Sequence, residues 1–327
     1  MHPRISIVCP VRNVEKYIEQ TIQSVIDQSY KNWELLIMDG ASTDGTIEVV
    51  QKYTARDPRI KLYSEKDESP WDATDRGIDR AAGEFLCVIA GQDGFLDQEW
   101  LSKCTATFTR DHEISLVWAS SRGMHEDGTL FHPYHVTYSH LMRRESWLNS
   151  VKNLFLKTGL TFWDLLSGDA TRKKIILKKI FSRTIGMKLS FLASRSFPEG
   201  KVPQKEGWFS YWLKTGFIFS DQAMCVDKKV YLACAPRYPR GTRMVNHMTD
   251  FNFNFNSRGY LAYHIPTLAT FGRTHPGNSA DRVADELHNE SEKYLKKIMD
   301  LRKKIMGTHQ WMTFVDREGT PVSKKQF

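Results

Sequence analysis

The first 120 residues alternate two hydrophobic periods, short apolar runs and longer helical stripes. That is the pattern of an α/β domain built on a mostly parallel sheet. Ile5 to Cys9, Trp33 to Met38, Ile60 to Tyr63, Phe85 to Ile89 and Leu116 to Ala119 read as strands. Between the first two, Ile18, Ile22, Val25 and Ile26 recur at helical spacing behind Asn13, which suits an N-cap, so this crossover helix is expected to lay one face on the sheet. From about Met142 the alternation fades. FNFNFN, Phe251 to Asn256, alternates strictly and reads as a half-buried strand. Val283, Leu287, Tyr294, Ile298, Leu301 and Ile305 then mark a long amphipathic helix over 281–306, packed either on the domain or on a partner chain.

In such sheets the loops at the carboxyl ends of the strands gather on one edge, where ligands bind. Four of these loops carry polar groups that packing does not require. Pro10, Val11, Arg12 and Asn13 leave the first strand, and Asp39 ends the second inside MDGASTDGT. An Asp there can accept hydrogen bonds from a base imide or a ribose hydroxyl, whereas Asp44 reads as a helix cap. SEKDESPWDATDRG, from Ser64 to Gly77, holds Glu65, Asp67, Glu68, Asp72 and Asp75, with a solvated loop as the simpler reading of Asp67 and Glu68. In IAGQDGF, Asp93 follows a continuous apolar strand between Gly91 and Gly94, and an isolated carboxylate there suits one position on Mg²⁺ or Mn²⁺.

Composition narrows the classes. A chain of 327 residues, 41% hydrophobic, is long enough to bury a large core. Its five cysteines are odd in number and lack CxxC spacing, against both a disulfide framework and a zinc site. The N-terminus enters a strand at once with no signal-peptide pattern, and no run of eighteen apolar residues occurs. A reducing cytoplasm is the expected compartment. The net charge of +8 favours anionic partners. Arg172 to Lys188 holds seven basic residues interleaved with Ile, Leu, Phe and Met, which fits either an anionic membrane face or a solvated helix. Basic and aromatic residues form no recognisable nucleic-acid module, so no nucleic-acid partner is expected.

In order, the four segments resemble glycosyltransferase family 2, from about Ile5 to Leu101 and in patches beyond. ISIVCPVRNVEKYIEQTIQSVIDQSYKNWELLIMDGASTDGT is similar to the family's opening strand, helix, strand and acidic turn, and SEKDESPWDATDRGIDRAAGEF to its next stretch. The resemblance implies a GT-A nucleotide-diphospho-sugar transferase fold: a mostly parallel central sheet flanked by helices, with a C-terminal helical extension. It implies a nucleotide-sugar-binding half over 1–120 and an acceptor-binding and catalytic-base half over 121–250, with the basic insertion near 170–197. An extension, largely helical, occupies 251–327. Pro10, Arg12, Asp39 and Asp72 are then expected around the nucleoside, with Glu65 a weaker candidate. The metal motif aligns with Gly91, Gln92, Asp93 and Gly94, so Asp93 would hold Mn²⁺ or Mg²⁺ and Gln92 would stand beside the donor.

A second patch begins at FPEGKVPQKEGWFSY, where Glu206 is the carboxylate nearest the family's base position and Asp221 is held in reserve. APRYPRGTRM is similar to a basic stretch that follows in relatives, so Arg240 and Arg243 are candidates to reach the diphosphate, and His247 is a candidate second metal ligand. The expected function is inverting transfer from a UDP-sugar to a hydroxyl of a bacterial surface polysaccharide or lipid-linked precursor, at the inner face of the membrane. Self-association through the C-terminal helix is a further expectation. The alternative is a catalytically decayed member acting as a glycan-binding or scaffold module, with Gly91, Gly94 and Gly207 in place of acids.

Overall fold

A computed structural model of the chain describes residues 3–131, 202–236, 247–275, 284–308 and 310–327. The basic insertion near 170–197 and the pair Arg240 and Arg243 lie outside the described residues.

The amino-terminal part alternates strand and helix: β1 (Ile5–Val11), α1 (Ile18–Ile26), β2 (Trp33–Asp39), α2 (Thr46–Thr54), β3 (Ile60–Ser64), α3 (Pro70–Arg80) and β4 (Phe85–Val88). Next come β5 (Gly94–Phe95), α4 (Trp100–Arg110) and β6 (Ile114–Met124). From residue 202 onward follow α5 (Glu206–Thr215), a 3₁₀ turn (Asp221–Ala223), β7 (Met224–Asp227), α6 (Lys228–Cys234) and α7 (His247–Ser257). β8 (Leu261–Arg273), α8 (Ala284–Gly307) and the hairpin β9 (Trp311–Val315) with β10 (Pro321–Gln326) complete the chain.

One eight-stranded sheet runs in the order β3-β2-β1-β4-β7-β6-β8-β5. Its first four strands pair in parallel; β7 pairs antiparallel with β4 and β6, β6 pairs in parallel with β8, and β5 is antiparallel to β8. β1, β2 and β4 are buried along nearly all their length because helices cover both faces, which is why they read as unbroken apolar runs. All five cysteines are buried and free. Among the described residues no helix is long and apolar enough to cross a membrane.

Two local expectations are corrected. Asn13 does not cap α1, which begins at Ile18 with Tyr17 in the cap position. Asn13 instead adopts a φ of 53° and accepts the Thr43 N–H at 2.8 Å, tying the loop after β1 to the loop after β2. The FNFNFN segment is helical, within α7. Phe251 and Phe255 are buried one turn apart, and so are Asn252 and Asn256. The asparagines are inside because each is bonded there: Asn252 Oδ1 accepts the Phe219 N–H at 2.9 Å, and Asn256 Oδ1 accepts the Trp208 indole N–H at 2.9 Å. A helical face of two Phe and two bonded Asn has no apolar 3.6-residue signature, so the alternation in the string misleads.

The long C-terminal helix forms as expected and packs on the domain. Tyr294, Ile298 and Ile305 are buried, and the Tyr294 hydroxyl accepts the Trp212 indole N–H from α5 at 2.9 Å. Around this helix, the 251–327 stretch also supplies β8 to the main sheet and a separate two-stranded hairpin.

Candidate active site at the carboxyl edge of the sheet

The carboxyl ends of β1, β2, β3 and β4, the start of β7 and the end of β8 meet at one edge. Asp39, the last residue of β2, is 1% exposed. Its carboxylate accepts the Ser64 hydroxyl at 2.6 Å and the Ser42 N–H at 3.1 Å. Hydroxyls of this kind are exchangeable for those of a ligand. Asp67 is buried as well, which corrects the reading of it as a solvated loop residue. A Cβ at Gly40 would come within 2.3 Å of the Asp67 carboxylate, so glycine is what lets the acid lie against the end of β2. Burial raises the Asp67 pKa, opposed by Arg12, whose guanidinium stands 3.9 Å away. Arg12, following Pro10 out of β1, is well exposed and points its charge over this acidic pair.

Glu65 and Asp72 are placed differently. Glu65 forms ion pairs with Arg76 at 3.0 Å and Arg80 at 2.9 Å, so it braces α3. Asp72 lies in the first turn of α3, where its own N–H donates to the Ser69 cap, and it sits 3.7 Å from Arg76. Asp44 behaves as a cap residue, accepting the Thr46 N–H at 3.0 Å at the start of α2.

Asp93 is the most enclosed of the acids, 1% exposed. One oxygen accepts the Arg273 backbone N–H at 2.9 Å and the other accepts the Gln222 side-chain amide at 2.6 Å. Burial pushes its pKa up to about 7, and the neighbouring Asp221 carboxylate adds to the rise. Asp221 is itself raised by burial and precedes Gln222 in the 3₁₀ turn. The Arg273 side chain spans the gap beside them. It donates to the carbonyls of His125 and Glu126 at 3.1 and 3.0 Å and to Gln20, and lies over the Tyr17 ring at 5.2 Å. Its outer side opens on a depression of about 370 Å³ lined by Lys16, Tyr17, Gln20, Glu126, Asp127, Gly128 and Arg273. Gln92 turns its carbonyl toward the Arg273 guanidinium, 3.4 Å away.

The two glycines around Asp93 are packing decisions. A Cβ at Gly91 would meet Val11 at 2.5 Å, and one at Gly94 would meet the Phe271 ring at 2.5 Å across the β5–β8 pair. Side chains from β1 and β8 fill the space that further carboxylates would need. Among the described residues no group of three or more His, Cys, Asp or Glu side chains is placed to hold a metal. A single carboxylate still fits Mg²⁺ or Mn²⁺, because hard cations of this kind commonly take one or two carboxylates and complete their shell with substrate phosphates and water.

Two expected site residues are engaged in other contacts, Glu206 away from the carboxyl edge and His247 at it. Glu206, at the start of α5, accepts the Ser323 hydroxyl of β10 at 2.6 Å. Its neighbour Lys205 donates its N–H to Ala262 at the start of β8, whereas Asp93 bonds Arg273 at the end of that strand. At ~3.3 Å per residue the two ends are roughly 36 Å apart along the strand. His247 is fully buried, with Nε2 2.7 Å from the Tyr231 hydroxyl and its ring stacked on Trp71 at 4.5 Å. It joins the amino end of α7 to that of α3.

Gln222, Arg273 and Asp250 were not singled out by the sequence. Asp250 stands in the first turn of α7, one turn from His247, with Oδ1 2.8 Å from Lys297 Nζ. An acid opening a helix is a recognisable signal, but only once the segment is read as a helix.

A twisted sheet with nucleotide-binding-type crossovers and buried acids along its carboxyl edge defines a GT-A glycosyltransferase fold. The comparisons agree. Residues 6–168 match the family described as "Glycosyl transferase family 2", and the chain belongs to that family. It is 32% identical over 128 residues to a putative teichuronic acid biosynthesis glycosyltransferase of Bacillus subtilis, a match covering 39% of this chain and 50% of that one. It is 27% identical over 128 residues to the chondroitin synthase of Escherichia coli, covering 39% of this chain and 18% of the relative. The chain thus spans half or less of the length of these curated relatives. Among solved structures, S. aureus TarS 1-349 in complex with UDP-GlcNAc matches with a TM-score of 0.53 at 12% identity, covering 92% of this chain and 72% of that one. The mannosyltransferase PcManGT of Pyrobaculum calidifontis in complex with GDP-Man and Mn²⁺ matches with a TM-score of 0.54 at 14% identity, covering 92% and 65%.

Proposed function

We propose that this protein transfers a single sugar from a nucleoside-diphosphate donor, a UDP-sugar, to a hydroxyl of a bacterial surface-polysaccharide precursor, with inversion at the anomeric carbon. The observation that carries the reading is the file of buried acids Asp39, Asp67 and Asp93 along the carboxyl edge, where hydroxyl and amide donors bond Asp39 and Asp93 and the exposed Arg12 stands 3.9 Å from Asp67. Structural ion pairs do not need such an arrangement, and functional sites do. Family membership and the polysaccharide synthases among the relatives support the same reading.

In this reading Asp39, whose carboxylate also accepts the Ser42 hydroxyl, takes the donor's base or ribose in exchange for the Ser42 and Ser64 hydroxyls, and Arg12 stands over Asp67 at the mouth of the pocket. Asp93 would hold Mn²⁺ or Mg²⁺, which when bound would supply positive charge against the negative charge that grows on the leaving diphosphate. The acceptor oxygen attacks C1 as the C1–O bond to the diphosphate breaks. The acceptor proton passes to a carboxylate, and the bonding pair leaves with UDP. Asp221 is the carboxylate beside Asp93, and burial raises its pKa. Asp250 is the second candidate, because the His247–Trp71 stack brings the amino end of α7 to the same edge. A lipid-linked acceptor at the cytoplasmic membrane face fits a basic chain whose described helices cannot cross a bilayer.

Calorimetric titration with UDP, in Mn²⁺ and then in chelator, tests the reading on the wild type and Asp93→Ala. Metal-dependent binding that is lost in Asp93→Ala supports a working donor site. Binding followed by release of UDP from UDP-GlcNAc or another UDP-sugar makes it a transferase, and binding without turnover makes it a decayed one. No UDP binding under either condition sinks the reading.

A further inference from the structure

Five large hydrophobic side chains are exposed among the described residues, and three of them fall within residues 299–311: Met299 and Met306 on α8 and Trp311 at the start of β9. They are 55%, 52% and 63% exposed, far more than packing on the domain requires. Lys296, Met299, Lys303 and Met306 follow one another at steps of three and four residues, so they form a single stripe along α8. That stripe lies away from Tyr294, Ile298 and Ile305, which face the core.

Charge singles out the same region. Residues 293–327 hold nine Lys and Arg against three Asp and Glu, a net +6 of the chain's +8. Some of this charge is used internally: Lys297 pairs with Asp250, and Arg317 donates to the carbonyls of Phe108 and His112. Lys296, Lys303 and Lys304 are on the exposed side of α8, and Lys324 and Lys325 are exposed on β10.

We propose that the Lys296–Met299–Lys303–Met306 stripe, with Trp311 beyond it, docks this protein on an anionic lipid bilayer, α8 lying along the surface. Lysines interleaved with exposed methionine and tryptophan meet the two demands of that surface: anionic headgroups outside and an apolar layer just beneath, with Trp favoured at the boundary. A second copy is a poor occupant, since an isologous contact through this face would bring two strongly cationic surfaces together. Nucleic acid would use the lysines but leave the methionines without an apolar environment. The proposal does not depend on sugar transfer, because docking is read without turnover.

The test is co-sedimentation of the full chain with vesicles of phosphatidylglycerol and phosphatidylcholine in equal parts, against pure phosphatidylcholine, at 0.1 M salt. The wild type should bind the anionic vesicles and not the neutral ones. Lys296→Glu with Lys303→Glu should lower the partition coefficient about tenfold or more. Met299→Ser with Met306→Ser should lower it severalfold. All four positions are exposed, and unchanged circular dichroism checks that each variant is folded. Anionic-vesicle binding that survives both double substitutions would place attachment elsewhere and overturn the proposal. So would absence of wild-type binding, tighter binding to duplex RNA than to vesicles, or a dimer in sedimentation that the substitutions abolish. UDP binding measured on the same variants keeps failure of this proposal distinguishable from failure of the donor site.

Discussion

Apart from Asp227, which is buried and raised in pKa as the cap of α6, the acidic side chains at the two edges of the central sheet are held in different ways. At the amino edge of β6, Asp111 and Glu113 are both partly exposed and share Lys205, at 2.7 and 2.8 Å. Glu34, buried in β2 toward its amino end, has Lys61 at 3.1 Å and Arg4 at 3.4 Å, and these partners with Ser6 and the Ala82 N–H hold its pKa low against the effect of burial. At the carboxyl edge, Asp93 is as deeply buried and is bonded by amide donors, with the Arg273 charge offsetting burial only in part, and Asp67 has Arg12 at 3.9 Å. There burial wins and the pKa values rise. A carboxylate that is buried without a close cation costs stability, and Asp93 and Asp67 gather two such groups at the carboxyl edge, where the proposed donor site lies.

The sharpest way to break that contrast is to exchange a carboxylate at each edge. Asp221→Asn should lower transfer about 10²- to 10⁴-fold with UDP binding intact, the range for loss of a general base. Glu206→Gln, beside Lys205 at the other edge, should leave steady-state turnover within about twofold. If Asp221→Asn transfers normally and Asp250→Asn does not, the base is on α7.

Stability should move the opposite way to activity. In metal-free protein at pH 8, Asp93→Asn removes a buried ionised group and is expected to raise the unfolding free energy by ~1–2 kcal/mol. Urea denaturation with chelator present checks the sign, and a less stable variant would mean that the amide network needs the charge.

His264, early in β8 and packed on Trp118 at 4.3 Å, gives a pH readout away from the acids. Burial lowers its pKa to about 4. Because the folded value lies below the unfolded one near 6.5, its contribution is fully present above pH 6.5 and is lost as pH falls through about 4. The loss over that window should approach about 3 kcal/mol at most, and it should shrink in His264→Phe, followed by urea midpoints against pH. The smallest effect belongs to Lys205→Met. Its partners are solvated, so the loss should stay under about 1 kcal/mol and diminish further in 1 M salt.

How much of this was legible depended on where the partners lay in the chain. The strands of the parallel half were readable because covering both faces makes them continuous apolar runs, and Asp39 and Asp93 stood out as acids ending such runs. Glycines at 91 and 94 read as missing carboxylates; only the packing of Val11 and Phe271 explains them. The FNFNFN string pointed to a strand because its buried asparagines look exposed until their bonds to Trp208 and Phe219 are seen. That misreading also concealed Asp250 as a helix-opening acid.

The sequence by itself determined the family, the GT-A class of fold, the succession of the first strands and the acids that end them. Those features are local: periodicity, turn chemistry and the order of segments within about a hundred residues. The tertiary structure alone decided which groups complete the site. Gln222 reaches Asp93 across 129 residues of chain and Arg273 across 180, while Glu206 lies close to Asp221 in sequence and at the opposite end of the sheet. Distance along the chain carries almost no information about such pairings. They follow from β7 and β8 returning, one antiparallel and one parallel to β6, into a sheet that the first half had begun.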